Sequence, residues 1–344
     1  MQAQAQYLIA LILFAGILCQ WLAWRIKVPS IIFLLATGVL AGPVLNLLNP
    51  DKLLGELLFP CVSLAVAIIL FEGSLTLNFR DIPGLQRVIR NLITTGVLVT
   101  WLLTTLTTRW LLHFSWEISF LFAAVMVVTG PTVIMPLLQT VRPKEKIANV
   151  LQWEGILLDP IGAVLAVLVF EFIVSSQTTD SLIHESLLFG KMILIGVILG
   201  IAGGYCLGLL LRRYWIPLSL HNFTALVLVT GIYALSNKIE PESGLLSVTV
   251  MGIWLTNFEQ ANLEDILSFK ESLSIILISV LFIILAARVN FQDFVQLGLP
   301  ALYAFLVIQF LIRPISVHLC ALRSKLTFPE RHFLAWIAPR GIVA

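Results

Sequence analysis

The sequence predicts an all-α membrane protein that crosses the bilayer many times. Hydrophobic residues make up 59% of the 344 positions and charged residues only 12%, which is about half the charged share of a soluble domain. Apolar runs of the roughly 20 residues that one crossing needs recur along the chain. The net charge of +2 comes without a clustered basic face, so we exclude a nucleic-acid-binding protein.

Twelve apolar segments cover most of the chain. They lie at 7–24, 29–48, 53–72, 88–112, 118–138, 147–174, 187–211, 223–236, 244–257, 273–287, 297–322 and 333–344. The first is interpreted as a retained helix, not a signal peptide, because its leader has no positive charge and Arg25 and Lys27 follow it. The last segment stops without a polar end, so we expect the sequence to be a fragment.

The basic residues indicate how the segments are oriented. Alternate loops carry 14 and 5 lysines and arginines, and the richer set is expected in the cytoplasm. The N-terminus is therefore predicted outside, in a multi-pass protein of the cell's inner (cytoplasmic) membrane. Residues 1–344 are predicted to form one membrane domain, in which the polar stretch 258–272 is a surface connection.

Five ionisable side chains are placed at depth within the apolar segments: Glu72, Glu154, Asp159, Arg313 and Arg340. A charge at the bilayer centre costs about 2.5 to 3.5 kcal/mol even on lenient scales, so each should be paired or face a cavity. Two cations face three carboxylates, which leaves at least one acid without a fixed partner. We expect Asp159 to be that acid and to hold a mobile cation or proton.

Two segments also carry helix-breaking residues near mid-depth. Gly130 and Pro131 follow Thr129 in the fifth segment, and Pro339 and Gly341 flank Arg340 in the twelfth. Proline removes a backbone donor and clashes with the preceding turn, so both segments are expected to be interrupted there. A pair of interrupted helices in two halves of a chain is typical of a transporter's ion-binding site, because the breaks free backbone carbonyls at the membrane midplane.

Several motifs together resemble the NhaP-type sodium/proton antiporters and sodium/proton exchangers. The resemblance rests on Phe71-Glu72-Gly73, Thr129-Gly130-Pro131, the stretch from Glu154 to Asp159, Arg313-Pro314 and Arg340-Gly341, in the family's order. It implies two inverted repeats with two crossing broken helices. The core helices are expected around 88–174 and 273–344, the rest serving dimerisation in a homodimer. A thirteenth helix is implied for the full chain.

The resemblance also implies residue roles. Asp159 binds the monovalent cation and the proton alternately, with Thr129 and Glu72 assisting. Glu154 is expected to form a structural ion pair with Arg340, and Arg313 is an additional buried charge. Three positions depart from the family pattern: Gly130 replaces an aspartate, Gly155 a serine and Leu158 an asparagine. Because the site has fewer polar oxygens, potassium rivals sodium as the transported ion.

The predicted function is alternating-access exchange of sodium or potassium for protons. One titrating acid in the sixth segment favours one proton per cation, hence electroneutral transport, with no cofactor. A cation channel and a non-transporting sensor or scaffold with the same fold are the alternatives. A membrane enzyme is disfavoured because the histidines are scattered and neither a His-Glu-x-x-His nor a Gly-x-Ser-x-Gly motif occurs.

Overall fold

The computed structural model describes residues 2–175, 181–213, 215–257, 264–322, 324–337 and 340. All regular secondary structure in this part of the chain is helical. The helices are α1 (Gln2–Ile26), α2 (Ser30–Val39), α3 (Pro50–Leu54), α4 (Leu58–Ser74), α5 (Gln86–Asn91), α6 (Val97–Leu111), α7 (Trp116–Val127), α8 (Pro131–Val141), α9 (Glu145–Ser175), α10 (Ser181–Arg212), α11 (His221–Ile239), α12 (Ser243–Asn257), α13 (Glu264–Ala287), α14 (Phe291–Val307), α15 (Arg313–Ala321) and α16 (Phe328–Trp336). Single π-helical turns extend α2 (Leu40–Val44), join α5 to α6 (Leu92–Gly96) and join α14 to α15 (Ile308–Ile312).

The predicted all-α membrane protein is confirmed, and each apolar segment lies on a helix as far as the structure describes it. Among the residues that the structure describes, seven helices are long and apolar enough to cross a membrane, or eight if the bent pair α7 and α8 is one span. Three shorter apolar helices accompany them. The number of crossings stays a prediction. The connection predicted at 258–272 is shorter, because α13 begins at Glu264.

Buried apolar side chains form two main clusters. One joins α1, α2, α4 and α10–α13, and the other joins α5, α8, α9, α15 and α16. Helix α13, which the sequence-based division placed with the core group 273–344, packs against α1, α2 and α4. The division into core and dimerisation helices stays a prediction.

Small residues bring the helices of the first cluster close together. A Cβ atom on Gly200 of α10 would lie 2.5 Å from the Ser247 carbonyl oxygen of α12. On the other side of α12, a Cβ on Gly252 would lie 2.7 Å from the Phe71 carbonyl oxygen of α4. Glycine therefore lets α10, α12 and α4 pack backbone to backbone, which holds the end of α4 in place beside the second cluster.

The predicted break in the fifth segment is present. Helix α7 ends at Val127, α8 begins at Pro131, and the two axes differ by 42°. Pro131 occupies the first turn of α8, where its missing N–H costs nothing because that donor has no helical acceptor.

Candidate functional site

The site is built on α9, whose residues Glu154 and Asp159 are both buried, with exposed fractions of 2% and 7%. Five positions of an α-helix correspond to a rotation of about 140°. The two carboxylates therefore point to different sides of α9 and meet different neighbours.

Glu154 is paired with Arg313. Arg313 Nη2 donates to Glu154 Oε2 at 2.9 Å, and Nη1 donates to Oε1. Both side chains are buried, and this two-bond arrangement is the strong form of an arginine–carboxylate pair. The expected partner, Arg340, was wrong. Arg313 takes that place because its guanidinium, carried on the first residue of α15, lies against α9.

The same guanidinium also binds the end of α16. Arg313 Nε donates to the Ile337 carbonyl oxygen at 3.2 Å, and Nη2 contacts the Leu334 carbonyl oxygen at 3.4 Å. Ile337 is the C-cap of α16 and has left the helical conformation, and the last carbonyls of a helix have no donor within that helix. One side chain thus ties α9, α15 and α16 together.

Arg340 has a different role from the one expected. Its Nη1 donates to the carbonyl oxygen of Met126 in the last turn of α7. The break after Val127 removes that carbonyl's helical donor, and a cation is favourable at a helix C-terminus. Arg340 therefore caps the broken helix α7, as Arg313 caps α16. Pro339 and Gly341, the predicted breaking residues around it, lie outside the described residues.

The break itself presents buried hydroxyl groups. Thr129 is 1% exposed, and its Oγ1 has no hydrogen-bond partner in the described structure; the same holds for Thr132 Oγ1. The Gly130 carbonyl accepts the N–H groups of Val133 and Ile134, at 3.2 and 3.3 Å, and so starts α8. A buried hydroxyl without a partner is costly, so Thr129 offers an oxygen ligand to an ion or water.

A small cavity connects the break to the ion pair. Its volume is about 10 Å³, near the space that one water needs. The polar side chains lining it are Thr100, Thr129, Glu154, Arg313, Ser316 and Arg340. Asp159 is not among the lining residues. Thr100, Thr132 and Ser316 were missed from sequence; Ser316 could have been found, because it lies one helical turn after Arg313.

Glu72 lies half-buried in the last turn of α4. Its neighbour Gly73 faces both the break and α9, since a Cβ there would lie 3.5 Å from Pro131 Cβ and from Ile156 Cδ1. The turn that carries Glu72 is therefore next to the site.

Two departures from the family pattern have a packing explanation. A Cβ on Gly155 would lie 2.0 Å from Ile134 Cδ1, so Ile134 of α8 fills the space that a serine side chain would need. Leu158 is buried and packs with Val97 and Val127. Gly130 has an extended backbone with φ of −110°, which any residue adopts, and nothing in the structure explains its glycine.

Comparison with known proteins identifies the family. The family model described as "Sodium/hydrogen exchanger, transmembrane" matches residues 9–344. The chain belongs to the sodium/hydrogen exchanger family. The sodium proton antiporter MjNhaP1 from Methanocaldococcus jannaschii, solved at pH 8, shares the exchanger fold with a TM-score of 0.84. That match has 23% identity and covers 99% of this chain and 84% of the other.

Named exchangers also match in sequence. The Na(+)/H(+) antiporter 1 of Methanocaldococcus jannaschii is 26% identical over 354 positions, covering 97% of this chain and 80% of the relative. The K(+)/H(+) antiporter NhaP2 of Shewanella sp. strain ANA-3 is 27% identical over 339 positions, covering 97% of this chain and 58% of the relative. The chain thus spans less than two thirds of the Shewanella exchanger's length.

Proposed function

We propose that this chain exchanges sodium or potassium for protons by alternating access, and that the two ions compete at Asp159. The observation that carries the proposal is the contrast on α9. Both oxygens of Glu154 are bound by Arg313, whereas Asp159 is buried without a hydrogen bond or ion pair to any residue that the structure describes. A buried carboxylate needs a compensating cation or a proton.

The exchange chemistry follows from the lack of a described partner for Asp159. The carboxylate of Asp159 binds a hard alkali cation through oxygen, and protonation removes the charge that holds the cation. Thr129 adds a hydroxyl oxygen at the break, and Glu72 assists from the end of α4. One competing acid favours one proton per cation, which makes the exchange electroneutral.

The fixed ion pair gives the moving part its rigidity. Because Arg313 joins α9 to α15 and α16, the helices that carry the site move as one body against their neighbours. Rocking of one helix bundle around a midplane site is the usual solution in secondary transporters. We place the N-terminus outside and expect a homodimer in the membrane.

The choice of cation remains between sodium and potassium, since relatives named for each match equally well. Gly155 and Leu158 leave fewer oxygens than the family pattern provides, so potassium rivals sodium as the transported ion. A non-transporting sensor and a cation channel are the alternatives.

The test uses proteoliposomes with an internal pH dye. We expect added sodium or potassium to collapse a pH gradient at a rate independent of a clamped membrane potential, and the apparent KM for the cation to rise as the pH falls. Asp159→Asn should abolish exchange, whereas Glu171→Gln on the same helix should leave it intact.

Other outcomes would decide against the proposal. Exchange by Asp159→Asn at the parent rate removes Asp159 from the mechanism, and a potential-dependent rate rules out electroneutral exchange. Single-channel currents support the channel. No flux with any alkali cation in a correctly folded parent protein supports the sensor.

A further inference from the structure

A basic cavity lies where two spans end on the same side of the membrane. The span Gln86–Leu111 begins with α5, and the span Gln296–Ala321 ends with α15. The cavity between these two ends has a volume of about 270 Å³ and is lined by Arg87, Arg90, Asn91, Cys320 and Ser324. It is separate from the cavity at Glu154 and plays no part in the exchange chemistry described above.

Hydrogen bonds fix the walls of this cavity. Asn91 Nδ2 donates to the Cys320 carbonyl oxygen at 3.1 Å, and Cys320 Sγ donates to the Asn91 carbonyl oxygen at 3.3 Å. On the loop after α15, Ser324 Oγ donates to the Ala321 carbonyl oxygen, and Arg331 Nη2 donates to that of Ser324. The cavity is therefore formed before any ligand enters it.

Within the part of the chain that the structure describes, the arginines in the cavity have no counter-charge. Arg87 and Arg90 are three residues apart on α5, so their side chains are neighbours and repel each other. Neither guanidinium forms a hydrogen bond or ion pair with a residue that the structure describes. Lys325 follows the lining residue Ser324 in the chain, and its Cδ lies 3.7 Å from the Cβ position of Gly84. The acid Glu330 of α16 accepts the Thr327 N–H and lies 4.0 Å from Lys144.

We propose that this cavity binds the phosphate group of an anionic phospholipid. Guanidinium groups are suited to phosphate because their N–H donors match its oxygens in pairs. The position of the cavity favours a lipid as the source of the phosphate. Both spans end at the cavity, and lipid phosphates lie at the level where spans end. Basic pockets between membrane helices on the side with basic loops are typical sites for anionic headgroups.

The bound lipid connects this cavity to the rest of the molecule. A phosphate held by Arg87 and Arg90 bridges α5 to the end of α15, and the first residue of α15 is Arg313. The lipid therefore steadies the helix whose other end holds Glu154. We expect it to raise the melting temperature of the protein.

The experiment uses the full chain in nanodiscs of phosphatidylcholine, with or without phosphatidylglycerol. Retained lipid is identified by native mass spectrometry after release into detergent, and melting is followed in the nanodiscs. We expect Arg87→Gln/Arg90→Gln to retain phosphatidylglycerol about tenfold less than the parent and to lose the stabilisation by this lipid. The matched control, Arg212→Gln/Arg213→Gln, removes two charges from the same predicted side at the end of α10 and should behave as the parent.

Three results would overturn the proposal. Equal loss in both double variants indicates general attraction to a basic surface, and no loss in either removes the cavity from lipid binding. Stabilisation by inorganic phosphate in pure phosphatidylcholine discs, equal to that by phosphatidylglycerol and lost in Arg87→Gln/Arg90→Gln, assigns the cavity to a free phosphate compound.

Discussion

Two neighbouring parts of the α9 region differ in whether their buried polar groups have hydrogen-bond partners. Around Glu154, each carboxylate oxygen accepts an N–H from Arg313, which also binds carbonyls at the end of α16. Around Asp159 and Thr129, the described structure offers no such partners. A fully bonded charge network is rigid, and a partly bonded one is costly. The difference separates a part that holds the helices together from a part that we propose is available to an ion.

Both arginines of the region also bind the ends of helices. Arg340 binds the end of α7 through Met126, and Arg313 binds the end of α16 through Leu334 and Ile337. Each guanidinium supplies donors that the helix no longer supplies. Thus the charges near mid-depth stabilise the helix ends as well as each other, which is how a membrane protein keeps irregular backbone away from lipid.

Removing the partner of Glu154 should have the largest effect on stability. In Arg313→Ala, the buried carboxylate is left uncompensated and two carbonyls lose their donors, so we expect a loss of about 3 to 5 kcal/mol. The measurement is chemical unfolding in detergent, followed by size-exclusion chromatography for the folded fraction. The double variant Glu154→Gln/Arg313→Gln should recover part of the loss, because it removes the uncompensated charge.

Arg340→Ala is the control for that prediction. It removes one hydrogen bond to the α7 terminus, and its expected cost of about 1 to 3 kcal/mol is smaller. Suppose that Arg340→Ala is as destabilising as Arg313→Ala, and that adding Glu154→Gln restores stability to the Arg340→Ala variant but not to the Arg313→Ala variant. Arg340 is then the true partner of Glu154, and the comparison fails.

The second prediction restores a family residue. In Gly155→Ser, the new Cβ would lie 2.0 Å from Ile134 Cδ1, and overpacking of this kind costs about 1 to 3 kcal/mol. Ile134→Val removes the Cδ1 atom, so the double variant should be more stable than Gly155→Ser alone. Unfolding of the four proteins in a double-mutant cycle measures this coupling; additive effects would show that the contact does not constrain the site.

Sequence predicted the fold well because its signals are local. Each apolar segment lies on one or more helices where the structure describes it, and Gly130 and Pro131 located the break between α7 and α8. The motif order also led to the correct family. These features depend on composition and on backbone chemistry, which a single segment contains.

The partner of Glu154 could not be predicted in the same way. Arg313 and Arg340 are both cations in late apolar segments, and the choice depends on which guanidinium reaches α9 after the helices pack. Gly155 shows the same limit. The reason for a glycine at this position depends on Ile134, a residue of another helix that no motif includes. Pairings between helices are tertiary facts, so they appear only in three dimensions.

The smallest expected change in stability comes from Thr129→Val, which replaces a buried hydroxyl without a partner by a methyl group. Because no hydrogen bond is lost, we expect stability within about 1 kcal/mol of the parent. The apparent affinity for the transported cation should nevertheless fall, since the break loses an oxygen ligand. The measurement is cation-dependent pH-gradient collapse in proteoliposomes over a range of cation concentrations.

Thr104→Val is the matched control, because Thr104 of α6 is fully buried and its Oγ1 also has no partner in the described structure. It is not among the residues that line the cavity at the break, so its substitution should leave the cation dependence unchanged. Equal shifts in both variants would mean that the hydroxyls act through packing or polarity alone. A shift confined to Thr129→Val, with stability preserved, separates the ion-binding part of the region from the part that Arg313 holds together.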